Sequence, residues 1–286
     1  MAGILILFST VSHLAESIFI KQYNMRHRRG GFVFTALISF FSMLFFLLTD
    51  RNGFDIPPLL WVYALVAGGL YCTASFLTYV ALQIGSYAMT MLILSYSIVM
   101  SVGYGLIFLN EKATVFTVIG FVLILFSLYF VRAEKKEGDN KKISFSWLIC
   151  VGVAAIGSGL FGVVQRMQQI RFANGCNNEF MVIALCFSTV SLLIIGLTKD
   201  RKDFAYVLRH GLPYTAGAGI SNGATNAMVV FLHTLMPISL SSPIRVGVKV
   251  MMSFLLSVVI FREKFKKRQV LGVAIGAVAL ILLNIK

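Results

Sequence analysis

The chain has 286 residues, of which 58% are hydrophobic and only 13% are charged, and its formal net charge is +14. A soluble domain of this length carries about 25% charged residues, so the composition predicts an all-α integral membrane protein. The basic residues lie in short loops between apolar segments and are not gathered on one helical face, which argues against nucleic acid as a partner.

Ten apolar segments follow one another along the chain, each near the ~20 residues that cross a bilayer core. In chain order they are Ala2–Ile20, Gly31–Thr49, Pro57–Gln83, Tyr87–Leu109, Ala113–Val131, Phe145–Arg166, Phe180–Leu197, Leu212–Leu235, Ile238–Phe261 and Val270–Ile285. A charged stretch, residues 133–143, separates five segments from five and predicts a linker loop between two units, residues 1–132 and 144–286. Pro243 lies inside the ninth segment and predicts a kink or local unwinding just before Arg245.

The two units resemble each other in sequence. The turn between the fourth and fifth segments, residues 109–112 (LNEK), is followed by a glycine nine residues after its glutamate. The turn between the ninth and tenth segments, residues 261–264 (FREK), is followed by a glycine at the same spacing. Because each unit has an odd number of segments, two copies must insert in opposite orientations, which predicts two inverted five-helix repeats.

This organisation resembles the drug/metabolite transporter superfamily, and within it the EamA-like branch. The resemblance covers the whole chain and rests on the two five-segment units, each with its glutamate-containing turn and the glycine-bearing segment that follows. It implies secondary transport by alternating access. It also implies a central cavity lined by the first, third, fourth, sixth, eighth and ninth segments.

We expect the chain in the plasma membrane, as a monomer or homodimer in contact with membrane lipids. The loop charges predict its orientation there. The loops after segments 1, 5, 7 and 9 contain 18 Lys and Arg residues, against five on the other side. The positive-inside rule therefore predicts that both termini lie outside the cytoplasm. The family resemblance implies instead that both termini lie inside, and the two alternatives remain open.

Two cations, Arg245 and Lys249, lie near the middle of the ninth segment. They are four residues apart and therefore share a helical face. Each charge costs at least about 2.5–3.5 kcal/mol at a bilayer centre, so both are expected to face a partner, a watery cavity or a ligand. As ligand-binding groups they favour a carboxylate or phosphate. The competing interpretation is a structural ion pair, or snorkelling of the two side chains to the interface.

Glu16 and His13 lie three residues apart in the first segment, also on one face. A carboxylate inside a membrane beside a histidine can exchange protons, which predicts a proton-coupling role for the pair. The first-segment glutamate also resembles the proton-coupling carboxylate of the small multidrug resistance branch of the superfamily. The alternative is that Glu16 neutralises Arg245 or Lys249.

Four further side chains are candidate substrate ligands. Tyr79 in the third segment and Tyr96 in the fourth offer aromatic faces that can hold an apolar or cationic group. Asn222 and Asn226 share a face of the glycine-rich eighth segment and could bind a polar substrate. Their competing interpretation is hydrogen bonding between helices.

Together these residues predict a secondary transporter for a small polar metabolite, either an amino acid-like zwitterion or an organic or phosphorylated anion. The alternatives are an exporter of cationic drugs, which two site cations would repel, and a non-transporting scaffold. The sequence contains no HExxH motif and no nucleophile with a plausible base, so we expect no enzymatic activity. Its four cysteines show neither metal-binding nor disulfide spacing, and we expect no metal and no cofactor.

Overall fold

The computed structural model describes residues 2–49, 56–85, 87–109, 115–131, 145–173, 175–261 and 267–283. The predicted linker, residues 133–143, and the glutamates of the two repeated turns lie outside the described residues. The helices are α1 (Ala2–Arg26), α2 (Gly31–Thr49), α3 (Pro58–Ile84), α4 (Tyr87–Ser95), α5 (Ile98–Phe108), α6 (Val115–Val131), α7 (Phe145–Arg171), α8 (Asn177–Lys199), α9 (Phe204–Tyr206) with a π-helical turn (Val207–Gly211), α10 (Leu212–Leu235), α11 (Ile238–Phe261) and α12 (Lys267–Leu283).

Within the described residues, each predicted apolar segment lies mostly in helix, and α2, α10 and α11 have the predicted bounds. Within the described residues, five helices are long and apolar enough to cross a membrane, namely α1, α2, α3, α7 and α8. The all-helical membrane fold is therefore confirmed, whereas ten crossings remain a prediction. Helices α1 and α7 extend to Arg26 and Arg171, past the predicted ends, because backbone hydrogen bonds continue after the apolar side chains stop.

The fourth predicted segment is broken into two helices. Tyr96 donates its N–H to Ile93 O at 3.0 Å and Ser97 donates to Leu94 O at 3.2 Å, which forms a tight turn between α4 and α5. Gly159 of α7 packs against this turn, since a Cβ there would lie 2.9 Å from Ser97 O. The ninth segment, by contrast, shows no local unwinding and continues as one helix through residue 243.

Helices from the first half of the chain pack mainly on helices from the second half. Helix α1 packs on α10, α3 on α7, α2 on α8, α6 on α12, and α5 on α11. In chain order α1 corresponds to α7, α2 to α8 and α3 to α10. If each helix is replaced by its counterpart, the α1–α10 contact becomes the α3–α7 contact, and the α2–α10 contact becomes the α3–α8 contact. This contact pattern is the one expected of two structurally related units.

The glycine-rich α10 packs closely on α1 and α2. A Cβ at Gly219 would lie 2.5 Å from the Phe41 Cβ and 2.7 Å from Ile38 O, so no larger residue fits there without movement. A Cβ at Gly217 would lie 2.7 Å from the ring of Phe19. The glycines of this segment thus allow close helix contacts, which bring the polar face of α10 against its neighbours.

Candidate functional site

A cavity of about 220 Å³ lies between the helices of the two halves. Its lining comes from α1, α3, α4, α5, α7, α10 and α11, which correspond to the six segments that the family resemblance implied. Helix α2 also contributes, through Thr35 and Ile38, and this was not expected. The close approach of α2 to α10 at Gly219 explains why α2 reaches the cavity.

The cavity brings together most of the side chains selected from the sequence. Those that line it are His13, Glu16, Tyr79, Asn222, Asn226, Arg245 and Lys249. Tyr96 is not part of the lining. It lies in the turn between α4 and α5, where Leu94 and Ser97 line the cavity while the Tyr96 side chain is 37% exposed.

Arg245 and Lys249 line the cavity from α11 without a counter-charge in contact. Among the residues that the structure describes, the one contact within 4.0 Å between a basic and an acidic side chain joins His13 and Glu16, and no carboxylate lies within that distance of either α11 cation. This arrangement weighs against a structural ion pair. The two cations also contribute to the wall of an internal cavity, and are therefore not extended to the membrane interface.

Glu16 is held by two partners that are not cations of α11. Its Oε2 lies 3.3 Å from Nδ1 of His13, and its Oε1 accepts a hydrogen bond of 2.9 Å from Nδ2 of Asn222. Both carboxylate oxygens are thus oriented by α1 and α10. Neither oxygen of Glu16 lies within 4.0 Å of Arg245 or Lys249, so Glu16 does not form a direct ion pair with either cation.

Asn222 joins four helices through one side-chain amide. Its Oδ1 accepts hydrogen bonds from Ser42 Oγ at 2.7 Å, Tyr71 OH at 2.9 Å and Asn226 Nδ2 at 3.0 Å. We call Glu16, Ser42, Tyr71, Asn222 and Asn226 the Asn222 network; it links α1, α2, α3 and α10. The sequence placed Asn222 and Asn226 on one face, but Ser42 and Tyr71 could not be assigned as their partners, because periodicity says nothing about contacts between helices.

Tyr79 lies toward the basic end of the molecule, where the loops after α1 and α8 meet. Its side chain is 3% exposed, and its hydroxyl is buried without a hydrogen-bond partner in the described part of the chain. The ring packs against Gly31, where a Cβ would lie 2.6 Å from Tyr79 Cε1. The buried hydroxyl can therefore accept or donate a hydrogen bond to a molecule in the cavity.

His233 is a lining residue that the sequence analysis did not select. It is 4% exposed, and its Nδ1 is buried without a hydrogen-bond partner among the described residues. Arg166 donates from Nη1 to the backbone oxygen of His233 at 3.1 Å and so caps the last turn of α10. The position of Arg166 near a segment end is typical of an interfacial anchor, yet the structure gives it this contact inside the protein.

The described residues contain no group of three or more His, Cys, Asp or Glu side chains that could hold a metal ion. The four cysteines are free, with Cys186 exposed and the other three half-buried. The described lining offers hydrogen-bonding and charged side chains, among them Glu16, Asn222 and Arg245. It is suited to binding a small polar molecule.

Comparison with known proteins agrees with this geometry. The EamA-like transporter family matches the sequence in two parts, residues 1–133 and 145–285. The chain belongs to the EamA-like transporter family. It is accordingly a multi-pass membrane transporter of the drug/metabolite kind, and its central cavity is the candidate substrate site. No curated protein matches the sequence.

A crystal structure of another protein has the same fold as this EamA-like transporter. The two superpose with a TM-score of 0.71 over 99% of this chain and 96% of that chain. Their sequence identity is 12%, so the likeness shows the fold alone. It also shows that the arrangement of helices around the cavity is shared over nearly the full length of both chains.

Proposed function

We propose that this EamA-like transporter is a secondary active transporter of a small polar metabolite that carries a carboxylate or phosphate. The observation that carries the proposal is the pair Arg245 and Lys249, which face the cavity with no carboxylate of the described residues within 4.0 Å. A cation in a poorly solvated cavity gains most from a ligand of opposite charge, because Coulomb attraction grows as the effective dielectric constant falls.

Glu16 supports an amino acid-like zwitterion as the preferred ligand. It lines the same cavity from α1 while the two cations line it from α11. An amine near Glu16 and a carboxylate near Arg245 would both find an opposite charge. An organic anion without an amine would use the cations alone, and it is the second member of the proposed substrate class.

The size of the cavity favours a metabolite over a drug. At about 220 Å³ it is smaller than the roughly 300–1,000 Å³ of pockets that hold drug-sized ligands. Two cations without a carboxylate in contact among the described residues would also repel a cationic drug. These observations disfavour the alternative of a multidrug exporter.

The proposed mechanism is alternating access between two inverted five-helix repeats, residues 1–132 and 144–286, coupled to protons through Glu16 and His13. The exchange symmetry of the helix contacts supports related repeats. The 3.3 Å contact between Glu16 and His13 supports a proton-exchanging pair. The plasma membrane is the proposed location, and ten crossings are the proposed topology.

A thermal-shift screen of the purified full chain tests the substrate class. A ligand that binds the native state raises the apparent stability by mass action, by about 2.7 kcal/mol at a concentration of 100 times its Kd. We expect stabilisation by amino acids or small carboxylates, followed by uptake of the same compound into proteoliposomes. Stabilisation by lipophilic cations such as tetraphenylphosphonium alone would contradict the proposal and favour the drug exporter.

A further inference from the structure

The orientation of the Asn222 side-chain amide follows from the groups around it. Asn226 has one amide atom 3.1 Å from the backbone oxygen of Asn222 and 3.0 Å from the side-chain amide of Asn222. A backbone oxygen only accepts hydrogen bonds, so this atom of Asn226 must be the nitrogen Nδ2. The Asn222 atom that faces it must then be the oxygen, which turns the Asn222 nitrogen toward Glu16.

The fixed orientation of the Asn222 amide determines which carboxylate oxygen of Glu16 can carry a proton. Oε1 of Glu16 receives an N–H from Asn222 at 2.9 Å and acts there as an acceptor. Oε2 has no hydrogen-bond partner of good geometry in the described residues, and lies 3.3 Å from His13 Nδ1. A proton on Oε1 would meet the hydrogens of the Asn222 amide, whereas a proton on Oε2 would meet no competing donor and would lie on the side of His13, whose Nδ1 is 3.3 Å away.

We propose that Asn222 is a positioning residue that keeps Oε1 of Glu16 as an acceptor and directs the exchangeable proton to Oε2, beside His13. The inference rests on the proposed proton-coupled function and adds to it which oxygen is protonated and which residue decides this. Asn226 has a supporting role, since its nitrogen fixes the orientation of the Asn222 amide.

Other charged and titratable groups act on the same pair and must be counted in any test. Lys249 and Arg245 act from α11, Tyr71 acts from α3 and Tyr87 acts from α4. Of these groups, Tyr71 donates to Asn222 Oδ1, so a substitution at Asn222 also alters the Tyr71 contact. Tyr71→Phe removes that donor while Asn222 stays in place, and it separates the two contributions to proton binding.

The test is infrared difference spectroscopy of the purified full chain as a function of pH. The carbonyl band of protonated Glu16 is identified as the band that disappears in Glu16→Gln. In Asn222→Asp, the donor facing Oε1 is replaced by a carboxylate at the same distance, and two adjacent carboxylates hold a proton more strongly than one. We expect the band to persist to a pH higher by roughly one unit or more.

Asn24→Asp is the matched control, because it also converts a buried asparagine into an aspartate, here on α1 itself. Asn24 is 2% exposed and donates to Tyr79 O, and it lies eight residues from Glu16, about 12 Å along α1. We expect the Glu16 band to titrate at the wild-type pH in this variant.

A second variant keeps the inference testable if Asn222→Asp does not fold. In His13→Leu, a proton on Oε2 loses the polar imidazole beside it, and the carbonyl band should move to the higher frequency of an acid in an apolar environment. An unchanged frequency would overturn the assignment of the proton to Oε2.

The outcomes separate this inference from the function on which it rests. If the wild-type band titrates and Asn222→Asp leaves the pH unchanged, the positioning role is overturned while proton coupling stands. If no wild-type band titrates, both the positioning role and the coupling role are overturned. The proposed substrate class would then still be judged by the thermal-shift screen alone.

Discussion

Two walls of the cavity hold charge in different ways. On the α1–α10 wall, Glu16 is bound to His13 and to Asn222, which is itself fixed by three donors. On the α11 wall, Arg245 and Lys249 have no carboxylate within 4.0 Å among the described residues. A protein that needed only to neutralise its cations could place them against Glu16. Under the proposed function, this difference means that the carboxylate is positioned in advance by the protein and that the cations receive their counter-charge from the ligand.

The largest effect is expected from replacing the two cations of the α11 wall. Arg245→Ala and Lys249→Ala should each lower uptake into proteoliposomes by about two orders of magnitude, since losing one partner of a buried charge pair costs about 2–5 kcal/mol. Arg245→Lys, which keeps the charge but loses the bidentate geometry, should lie between the wild type and Arg245→Ala. The folded yield by size-exclusion chromatography should remain near wild type. A collapse of yield with no transport phenotype would instead support the ion-pair interpretation.

The next effect concerns the α1–α10 wall. Glu16→Gln preserves the shape of the side chain and the acceptor for Asn222 but removes the exchangeable proton. Accumulation of substrate driven by a pH gradient should fall to the level seen without a gradient, while exchange of labelled for unlabelled substrate should persist. Gradient-driven accumulation at the wild-type level would exclude Glu16 as the coupling group.

A smaller effect is expected at the close contact between α10, which belongs to the α1–α10 wall, and α2. Gly219→Ala would force the new Cβ against Phe41 and Ile38, and overpacking of this kind costs typically about 1–3 kcal/mol. The melting temperature should fall. Gly152→Ala is the matched control, because a Cβ at that helical glycine meets nothing within 4 Å. Equal melting temperatures for the two variants would show that α2 and α10 separate easily at this contact.

The smallest effect is expected at Tyr96, outside both walls. Tyr96→Phe should change the uptake rate by less than about twofold, because Tyr96 is not among the residues that line the cavity. Tyr79→Phe should reduce uptake more, because the Tyr79 hydroxyl is buried at the cavity without a partner in the described residues. A larger loss for Tyr96→Phe than for Tyr79→Phe would place the substrate path on the other side of α4.

The helices could largely be predicted from the sequence because apolar segments of membrane-spanning length leave few alternatives. Helix bounds such as Gly31–Thr49 follow from where lipid-compatible side chains begin and end. The cations of α11 were also identifiable, since a charge within an apolar segment is costly wherever it points.

The partners of those charges could not be predicted in the same way. Helical spacing placed Asn222 and Glu16 on particular faces, but only the packing of α1 against α10 brings them to 2.9 Å. Ser42 enters the network because Gly219 lets α2 approach α10, which is a property of two helices and not of one. The turn at Ser97 contains neither Pro nor Gly, and so no local signal announced it.

That turn has a mechanical consequence. A continuous helix carries a tilt at one end through to the other, whereas two helices joined by a turn can tilt separately. The fourth segment is jointed at Ser97 and pinned there by Gly159, while α11 opposite it is a single rod. Ser97 itself lines the cavity, so the joint lies at the depth of the candidate substrate site and divides the fourth segment there into α4 and α5.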